Sequence, residues 1–285
     1  MEPLTLMCVH PHPDDEAIAC GGVLARYGDE GVATHVVTCT GGEAGENLAG
    51  IDLGDHDLTW HRRNEMAAAV EALGLTGHRW LGYRDSGMVD TPANAHPDAF
   101  VQADLYEAAA RLAHVVRELR PAVVVSDDEN GTYGHPDHVQ AHRVTERALA
   151  MAADPWWRSE HEPWAVPKRY VHTLSRGRMW KLHQRLRAEG LASPFGEEDI
   201  VGPDDLPMGA PDELVTTRVA LGAALDRKQA AMRAHRSQIA DDSFFFNVPD
   251  DLIDEGFGLE EFVLLHGDPA PGPDGVETDL FAGLR

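Results

Sequence analysis

The chain alternates short apolar runs with longer segments in which apolar residues recur every three or four positions. Short runs are typical of buried strands and the periodic segments of amphipathic helices, so the order predicts βαβ units. In the first half it predicts strands over 4–9, 34–40, 79–83 and 122–128, and helices over 17–29, 59–74, 101–119 and 138–153. We therefore expect an α/β, Rossmann-like fold with a mostly parallel sheet flanked by helices.

The second half has a less regular pattern. It predicts a strand over 168–175 and amphipathic helices over 178–190 and 218–239. The last segment is rich in glycine and proline and is expected to be a loose tail. The predicted organisation has three parts. Residues 1–154 form a Rossmann-like core that carries two polar loops, residues 155–265 form an α/β portion that packs on the core and shapes the cleft, and residues 266–285 form the tail.

Composition narrows the range of partners. The 285 residues, 43% of them apolar, are enough to bury a large core. With 48 acidic against 24 basic residues the net charge is −24. Because such a charge repels phosphate backbones and anionic lipids, we expect neither nucleic acid nor membrane as a partner.

The three cysteines, Cys8, Cys20 and Cys39, lack C-x-x-C spacing, which argues against a disulfide framework or a thiolate zinc site. No stretch approaches the roughly 20 apolar residues of a membrane span, and the start of the chain lacks a signal-peptide pattern. A cytoplasmic location is expected. The glycine-rich stretches match neither a G-x-G-x-x-G nor a P-loop pattern, so no nucleotide cofactor is predicted.

Two loops at predicted strand ends carry unusual polar residues, and ligands of open α/β sheets bind at such ends. The first loop reads "HPHPDDE" over 10–16. His12 and Asp15 are three residues apart across a strand-to-helix turn, a spacing that can bring a nitrogen and a carboxylate oxygen onto one divalent ion. For each acidic residue there, the alternative is stabilisation of a helix N-terminus. His10 could line the cleft but is left out of the metal site.

The second loop, "DDENGTYGHPDHVQAH" over 127–142, offers a third ligand from His135, His138 or His142. His138 and His142 form an H-x-x-x-H pair that could bind metal alone. However, Val139 stands where the metalloprotease motif has its glutamate. We favour a split site, in which the two ligands of the first loop meet one histidine of the second.

The "HPDDE" of 12–16 and the "HPDH" of 135–138 resemble the zinc-dependent deacetylases of the LmbE/PIG-L family, which remove N-acetyl groups from amino sugars. Other segments resemble the mycothiol-pathway branch, which acts on N-acetylglucosaminyl-inositol. The likeness covers most of the first 150 residues and, more thinly, 219–265. The matching segments are "TCTGGEAGE" (38–46), "RRNEMAAAVEALG" (62–74), "YRDSGM" (83–88), "ELRPAVVVSDDENGTYGHPDH" (118–138) and "KQAAMRAHRSQI" (228–239).

The resemblance implies a function and a metal site. It makes the chain a metal-dependent hydrolase that removes the N-acetyl group of N-acetylglucosaminyl-inositol with a metal-activated water. It makes His12, Asp15 and His138 the ligands of one divalent metal ion per chain, with zinc favoured and Fe²⁺ the alternative. Asp14 becomes the general base, because a carboxylate beside the metal but not bound to it can take a proton from the activated water.

The resemblance also implies roles in the second loop. His135 becomes a cation that donates to the amide oxygen as negative charge develops there, and Asp137 holds that imidazole in orientation. Tyr133 becomes a group that stabilises the tetrahedral intermediate or protonates the leaving amine. The alternative for Tyr133 is an aromatic ring packed under a glycine-rich loop.

Substrate contacts are implied for Arg62, Asp85 and Glu46, which would face the inositol hydroxyls, since polyols offer paired donors and acceptors. The alternative for each is a surface ion pair. Because Arg63 adjoins Arg62, the sequence does not decide which of the two arginines contacts the substrate. The expected partner is thus a small amino-sugar substrate. The sequence leaves open whether the chain forms a homo-oligomer.

Three other functions remain open. One is an amidase of mycothiol S-conjugates, a branch that carries a lysine where this chain has Ala19. Another is a deacetylase of a different amino-sugar natural product. The third is a metal-containing sugar-binding module without turnover, which retention of Asp14 disfavours, because binding alone needs no free carboxylate beside a metal.

Overall fold

The computed structural model describes residues 4–191, 193–195 and 200–285. The strands are β1 Thr5–His10, β2 Ala33–Thr40, β3 Gly77–Tyr83, β4 Val123–Ser126, β5 Lys168–Thr173, β6 Thr217–Ala220 and β7 Leu259–His266. The α-helices are α1 Asp15–Asp29, α2 Leu58–Leu73, α3 Leu105–Leu119, the single turn α4 Gly131–Gly134, α5 Pro136–Ala153, α6 Arg176–Ala188, α7 Ala224–Ala234 and α8 Asp250–Phe257. Short 3-10 helices cover Phe100–Gln102, Pro203–Asp205 and Asp212–Leu214.

The strands form one sheet of order β3-β2-β1-β4-β5-β7-β6. The pairs among β1 to β5 are parallel, whereas β7 runs antiparallel to both of its neighbours. The predicted α/β, Rossmann-like fold is confirmed. Leu6 and Cys8 of β1 belong to the core on one face of the sheet, and Met7 and Val9 to the core on the other. Coverage of both faces explains why this strand reads as an unbroken apolar run.

The order of the strands places the site. The chain moves outward from β1 to β2 and β3, then returns to the other side of β1 as β4. The loops that follow β1 and β4 therefore diverge at a topological switch point, where a crevice opens beyond the strand ends. These are the two polar loops singled out in the sequence.

The prediction of one helix over 218–239 was wrong in its first part. Residues Thr217–Ala220 form β6, which pairs with β7, and the helix begins only at Ala224. Gly222, at φ +53°, separates the two elements. The apolar residues of 217–225 fit both periodicities, so only the pairing with β7 decides between them.

The prediction of a loose tail over 266–285 was also wrong. Leu280 and Phe281 are fully buried. The carboxylate of Glu277 accepts hydrogen bonds from Lys168 Nζ and from the Tyr170 hydroxyl, each at 2.7 Å. A few apolar anchors and one buried ion pair thus fix a segment whose glycine and proline content resembles a linker. Within the described residues, no helix is long and apolar enough to cross a membrane.

Candidate metal and catalytic site

Two histidines from different loops face one carboxylate at the switch point. Asp15 is the first residue of α1, and its Oδ2 lies 3.3 Å from His12 Nδ1 and 3.5 Å from His138 Nε2. Ligand atoms of a tetrahedral zinc site with bonds of about 2.0–2.2 Å are separated by about 3.3–3.6 Å. Although burial opposes ionisation, His138 and His12 lower the pKa of Asp15 far below its usual value. Both separations from Asp15 therefore fit the ligands of one divalent cation.

His138 supplies the observation that tests this fit. Its Nδ1 donates to Asp127 Oδ1 at 2.7 Å, so the neutral form of the ring, which a metal ion needs, carries its lone pair on Nε2. That Nε2 is buried and has no hydrogen-bond partner among the described residues. A buried nitrogen without a partner is costly, and a metal bond would satisfy it. A ligand nitrogen of His135 also lies within 4.8 Å of ligand nitrogens of His12 and His138, so a three-histidine set is the alternative.

His142 points elsewhere. Its Nδ1 bonds the carbonyl oxygen of Asp127 at 3.0 Å. This contact directs the ring at the backbone below the loop and gives no support to the H-x-x-x-H pair.

Asp14 lies beside the proposed ligands but faces another way. Its φ is +105°, an uncommon value for a residue with a side chain, and such strain concentrates at functional sites. Arg62 Nη2 contacts its Oδ2 at 3.3 Å. Burial raises the pKa of Asp14 to about 6, although Arg62 opposes the shift. A carboxylate with such a pKa can accept and hold a proton near neutral pH.

The structure places the Asp137 carboxylate against His12 and not against the ring of His135, which it was expected to orient. The Asp137 carboxylate accepts from the Ser86 N–H at 2.9 Å and lies 3.1 Å from His12 Nε2, so it orients His12. The Asp137 backbone N–H donates to His135 Nδ1 at 3.1 Å. Burial first, and then the charge on His12, lower the pKa of His135 to about 4. The bond from the Asp137 N–H requires a lone pair on His135 Nδ1, so the ring proton lies on Nε2, where it can donate.

Tyr133 stands at the mouth of the site. Its side chain is 50% exposed, which does not fit the alternative of a ring packed under the loop. Its ring centroid lies 5.2 Å from that of His138 and 6.0 Å from that of His135. Partial burial, and then the charge of Asp15, raise its pKa. The phenol thus remains a proton donor at neutral pH.

The expected substrate residues lie at different depths. Arg62 and Asp85 are each only 3% exposed, and Arg62 donates to the carbonyl oxygens of Pro13 and Gly42. Backbone N–H groups of Ala44 and Gly87 occupy the two oxygens of Asp85.

The register at the start of α2 follows from side-chain positions. Arg63 is exposed, and its guanidinium lies 5.3 Å from the centroid of the Trp80 ring, so Arg62 is the arginine that reaches the site. Glu46 is exposed on the loop that follows β2.

Several buried groups around the site were missed in the sequence. Asp127 is fully buried and accepts from both His138 and His172. Glu16 is fully buried too, and its Oε1 lies 2.6 Å from His235 Nε2. The only local signal for Asp127 was its place as the first carboxylate after β4.

His10 is fully buried and not among the residues that line the cleft. It lies beside Cys8 and Cys20 on the β1–α1 side.

Comparison with known proteins gives a family match and relatives that are almost half identical. The model of a family described as "PIG-L: GlcNAc-PI de-N-acetylase" matches residues 7–149. Proteins from Acidothermus cellulolyticus and Geodermatophilus obscurus are 47% and 48% identical over 98% of this chain, covering 95% and 97% of their own lengths. Both are named 1D-myo-inositol 2-acetamido-2-deoxy-alpha-D-glucopyranoside deacetylase.

Among solved structures, the N,N'-diacetylchitobiose deacetylase from Pyrococcus horikoshii aligns with a TM-score of 0.59 at 20% identity. The alignment covers 93% of this chain and 84% of that protein. At this identity the likeness supports the fold alone.

Proposed function

Because the chain belongs to the PIG-L (GlcNAc-PI de-N-acetylase) family, we propose that it removes the acetyl group from N-acetylglucosaminyl-inositol, a step of mycothiol biosynthesis. The observation that carries this proposal is the placement of His12 Nδ1 and His138 Nε2 within 3.5 Å of one Asp15 oxygen, with Asp14 beside them but turned away. The choice of N-acetylglucosaminyl-inositol as the substrate rests on the names of relatives that align along almost their whole length.

We assign His12, Asp15 and His138 as the ligands of one divalent ion, with zinc favoured, since two imidazoles and one carboxylate are a common catalytic zinc set. When bound, such an ion polarises an amide carbonyl and lowers the pKa of water. Asp137 and Asp127 hold His12 and His138 from behind, as outer carboxylates do for metal-binding histidines.

In the proposed reaction Asp14 accepts a proton from the attacking water, and Arg62 keeps its carboxylate directed away from the ligands. His135, neutral and protonated on Nε2, donates to the amide oxygen as negative charge develops there. Tyr133 donates a hydrogen bond to the tetrahedral intermediate, or a proton to the leaving amine, from the open side of the site. The C–N bond breaks, the water oxygen remains in the acetate, and a proton goes to the sugar nitrogen.

For the substrate, we propose that the inositol end lies toward the loops after β2 and β3, which carry Glu46 and Asp85. Arg62 belongs to the same side. Its contact with Asp14 means that it supports catalysis as well as binding. Truncating Arg62 should therefore lower activity on every amide substrate, whereas truncating the exposed Glu46 should affect only the conjugate.

The test is release of free amine by the zinc-loaded protein from N-acetylglucosaminyl-inositol, N-acetylglucosamine and a mycothiol S-conjugate. We expect the inositol conjugate to have the highest kcat/KM and Glu46→Gln to reduce its advantage over the monosaccharide. Equal rates on the conjugate and the monosaccharide would refute the inositol assignment. Fastest cleavage of the S-conjugate would place the protein in the amidase branch, despite Ala19.

A further inference from the structure

A cavity of roughly 450 Å³ opens directly on the proposed metal site. Asp14, Asp15, Tyr133 and His138 line one end. The rest of its wall is mainly apolar and comes from the second half of the chain, through Met179, Leu182, Phe195, Met208, Phe244 and Phe257. A methyl group, the part of an acetamide that lies beyond its carbonyl, would fill little of a space that suits a much larger ligand.

The charged residues that the second half of the chain contributes to this wall are paired with one another. Arg178 contacts Glu261 at 2.9 Å, and Lys228 Nζ contacts Glu260 at 2.7 Å. The Glu260 carboxylate also accepts from the backbone N–H of Gly22. Because these charges are compensated inside the wall, the cavity suits an uncharged apolar group better than a second sugar.

The position of the cavity indicates which part of a substrate would enter it. The loops with Glu46 and Asp85 follow β2 and β3, on one side of the β1–β4 switch point. The cavity lies on the other side, where β5 and β7 provide Thr173 and Leu259. A secondary amide is planar and trans, so its two carbon substituents leave in opposite directions. With the sugar on the polar side, the acyl group points toward the cavity.

We propose that this cavity is an acyl-chain subsite and that the protein hydrolyses glucosaminyl-inositol amides of medium-length fatty acids as well as the acetamide. The proposal rests on the proposed function, since it uses the same reaction. Water adds to the acyl carbon, the C–N bond breaks, and a fatty acid and the free amine leave. Only the acyl portion of the substrate differs.

The experiment compares kcat and KM of the zinc-loaded wild-type protein on N-acetyl, N-butyryl and N-hexanoyl glucosaminyl-inositol. Each methylene buried in an apolar site strengthens binding by about fourfold, before the cost of ordering the chain. We therefore expect KM for the hexanoyl amide to be at least about tenfold lower than for the acetamide. We also expect kcat/KM for the hexanoyl amide to be equal to or above that for the acetamide.

A variant links this effect to the cavity. Ala19 lies one helical turn after Asp15 and lines the cavity, so Ala19→Phe should lower the ratio of hexanoyl to acetyl kcat/KM at least tenfold. The matched control is Ala67→Phe, on an exposed position of α2, which should leave the ratio unchanged. An unchanged ratio in a folded Ala19→Phe protein would overturn the assignment of this cavity.

The wild-type series separates the two proposals and does not depend on the variant. Cleavage of the acetamide with hexanoyl kcat/KM reduced a hundredfold would overturn the acyl subsite and leave the deacetylase function intact. Cleavage of the hexanoyl amide but not the acetamide would support the subsite and overturn the acetyl assignment. No turnover of any of the three by zinc-loaded protein would overturn both.

Discussion

Replacement of Asp127 by asparagine tests whether the metal site depends on a residue that does not touch the metal. The Asp127 carboxylate is fully buried, and its Oδ1 accepts from His138 Nδ1 at 2.7 Å and from His172 Nε2 at 3.0 Å. Burial disfavours its charge, but His138 and His172 outweigh burial and lower its pKa well below the usual value. Asp127 is therefore ionised, and it holds His138 with Nε2 facing the site.

Asp127→Asn keeps the size of the side chain but removes its charge. Either His138 or His172 must then face the N–H groups of the asparagine amide or lose its hydrogen bond to residue 127. Loss of an outer partner of a metal-binding histidine costs about 10–100-fold in affinity. Because this carboxylate is buried and bonds two imidazoles, we expect zinc affinity to fall by close to a hundredfold. A hundredfold loss corresponds to about 2.7 kcal/mol.

The measurement is competition for zinc against a chromophoric chelator, with circular dichroism to verify folding. Asp128→Asn is the matched control, because it removes a charge from the adjacent residue, whose Oδ1 accepts only backbone N–H groups, those of Asn130 and Thr132, among the described contacts. Asp128→Asn should bind zinc within about threefold of the wild type, well below the effect of losing an outer partner. Wild-type affinity in Asp127→Asn, or an equal loss in both variants, would refute the positioning role.

Three further outcomes follow. Asp14→Asn should keep zinc and lose about 10²–10⁴-fold in kcat, the usual size of a general-base contribution, and loss of zinc would mean that Asp14 is a ligand. His138→Ala should lose zinc and His142→Ala should retain it, as elemental analysis of purified proteins will show, and the reverse would favour the single-helix pair. Burial lowers the pKa of His78 to about 4, below its unfolded value, so its neutral form is favoured in the folded protein. Its contribution to stability is complete above the unfolded pKa of about 6.5 and is lost as pH falls. Between pH 7.5 and 4.5 the wild type should lose about 2 kcal/mol more unfolding free energy than His78→Gln, and parallel urea-denaturation curves would contradict this.

The elements of the first half were predictable because each rests on a local pattern. The continuous apolar run of β1, the periodic segment of α3 and the segment of α2, which ends at Gly74, lie within two or three residues of their predicted bounds. The start of α3 is the exception, because Phe100–Gln102 forms a separate 3-10 helix. The second half was harder, since β6 carries a helix-like pattern and exists through its pairing with β7. Strand pairing joins residues distant in sequence, which no window of neighbouring residues reports.

What the sequence by itself determined was the fold class and the two polar loops at strand ends, and within those loops the family resemblance chose His12, Asp15 and His138 as proposed ligands. Periodicity is local, and the parallel topology brings strand ends together without reference to side-chain detail. What only the tertiary structure decided was the partner of each polar group. Asp137 faces His12 from 125 positions away, and Glu16 faces His235 from 219 positions away. The cavity beside the site was also invisible, because a cavity is a shape enclosed by side chains from several elements, and the packing of the whole chain determines it.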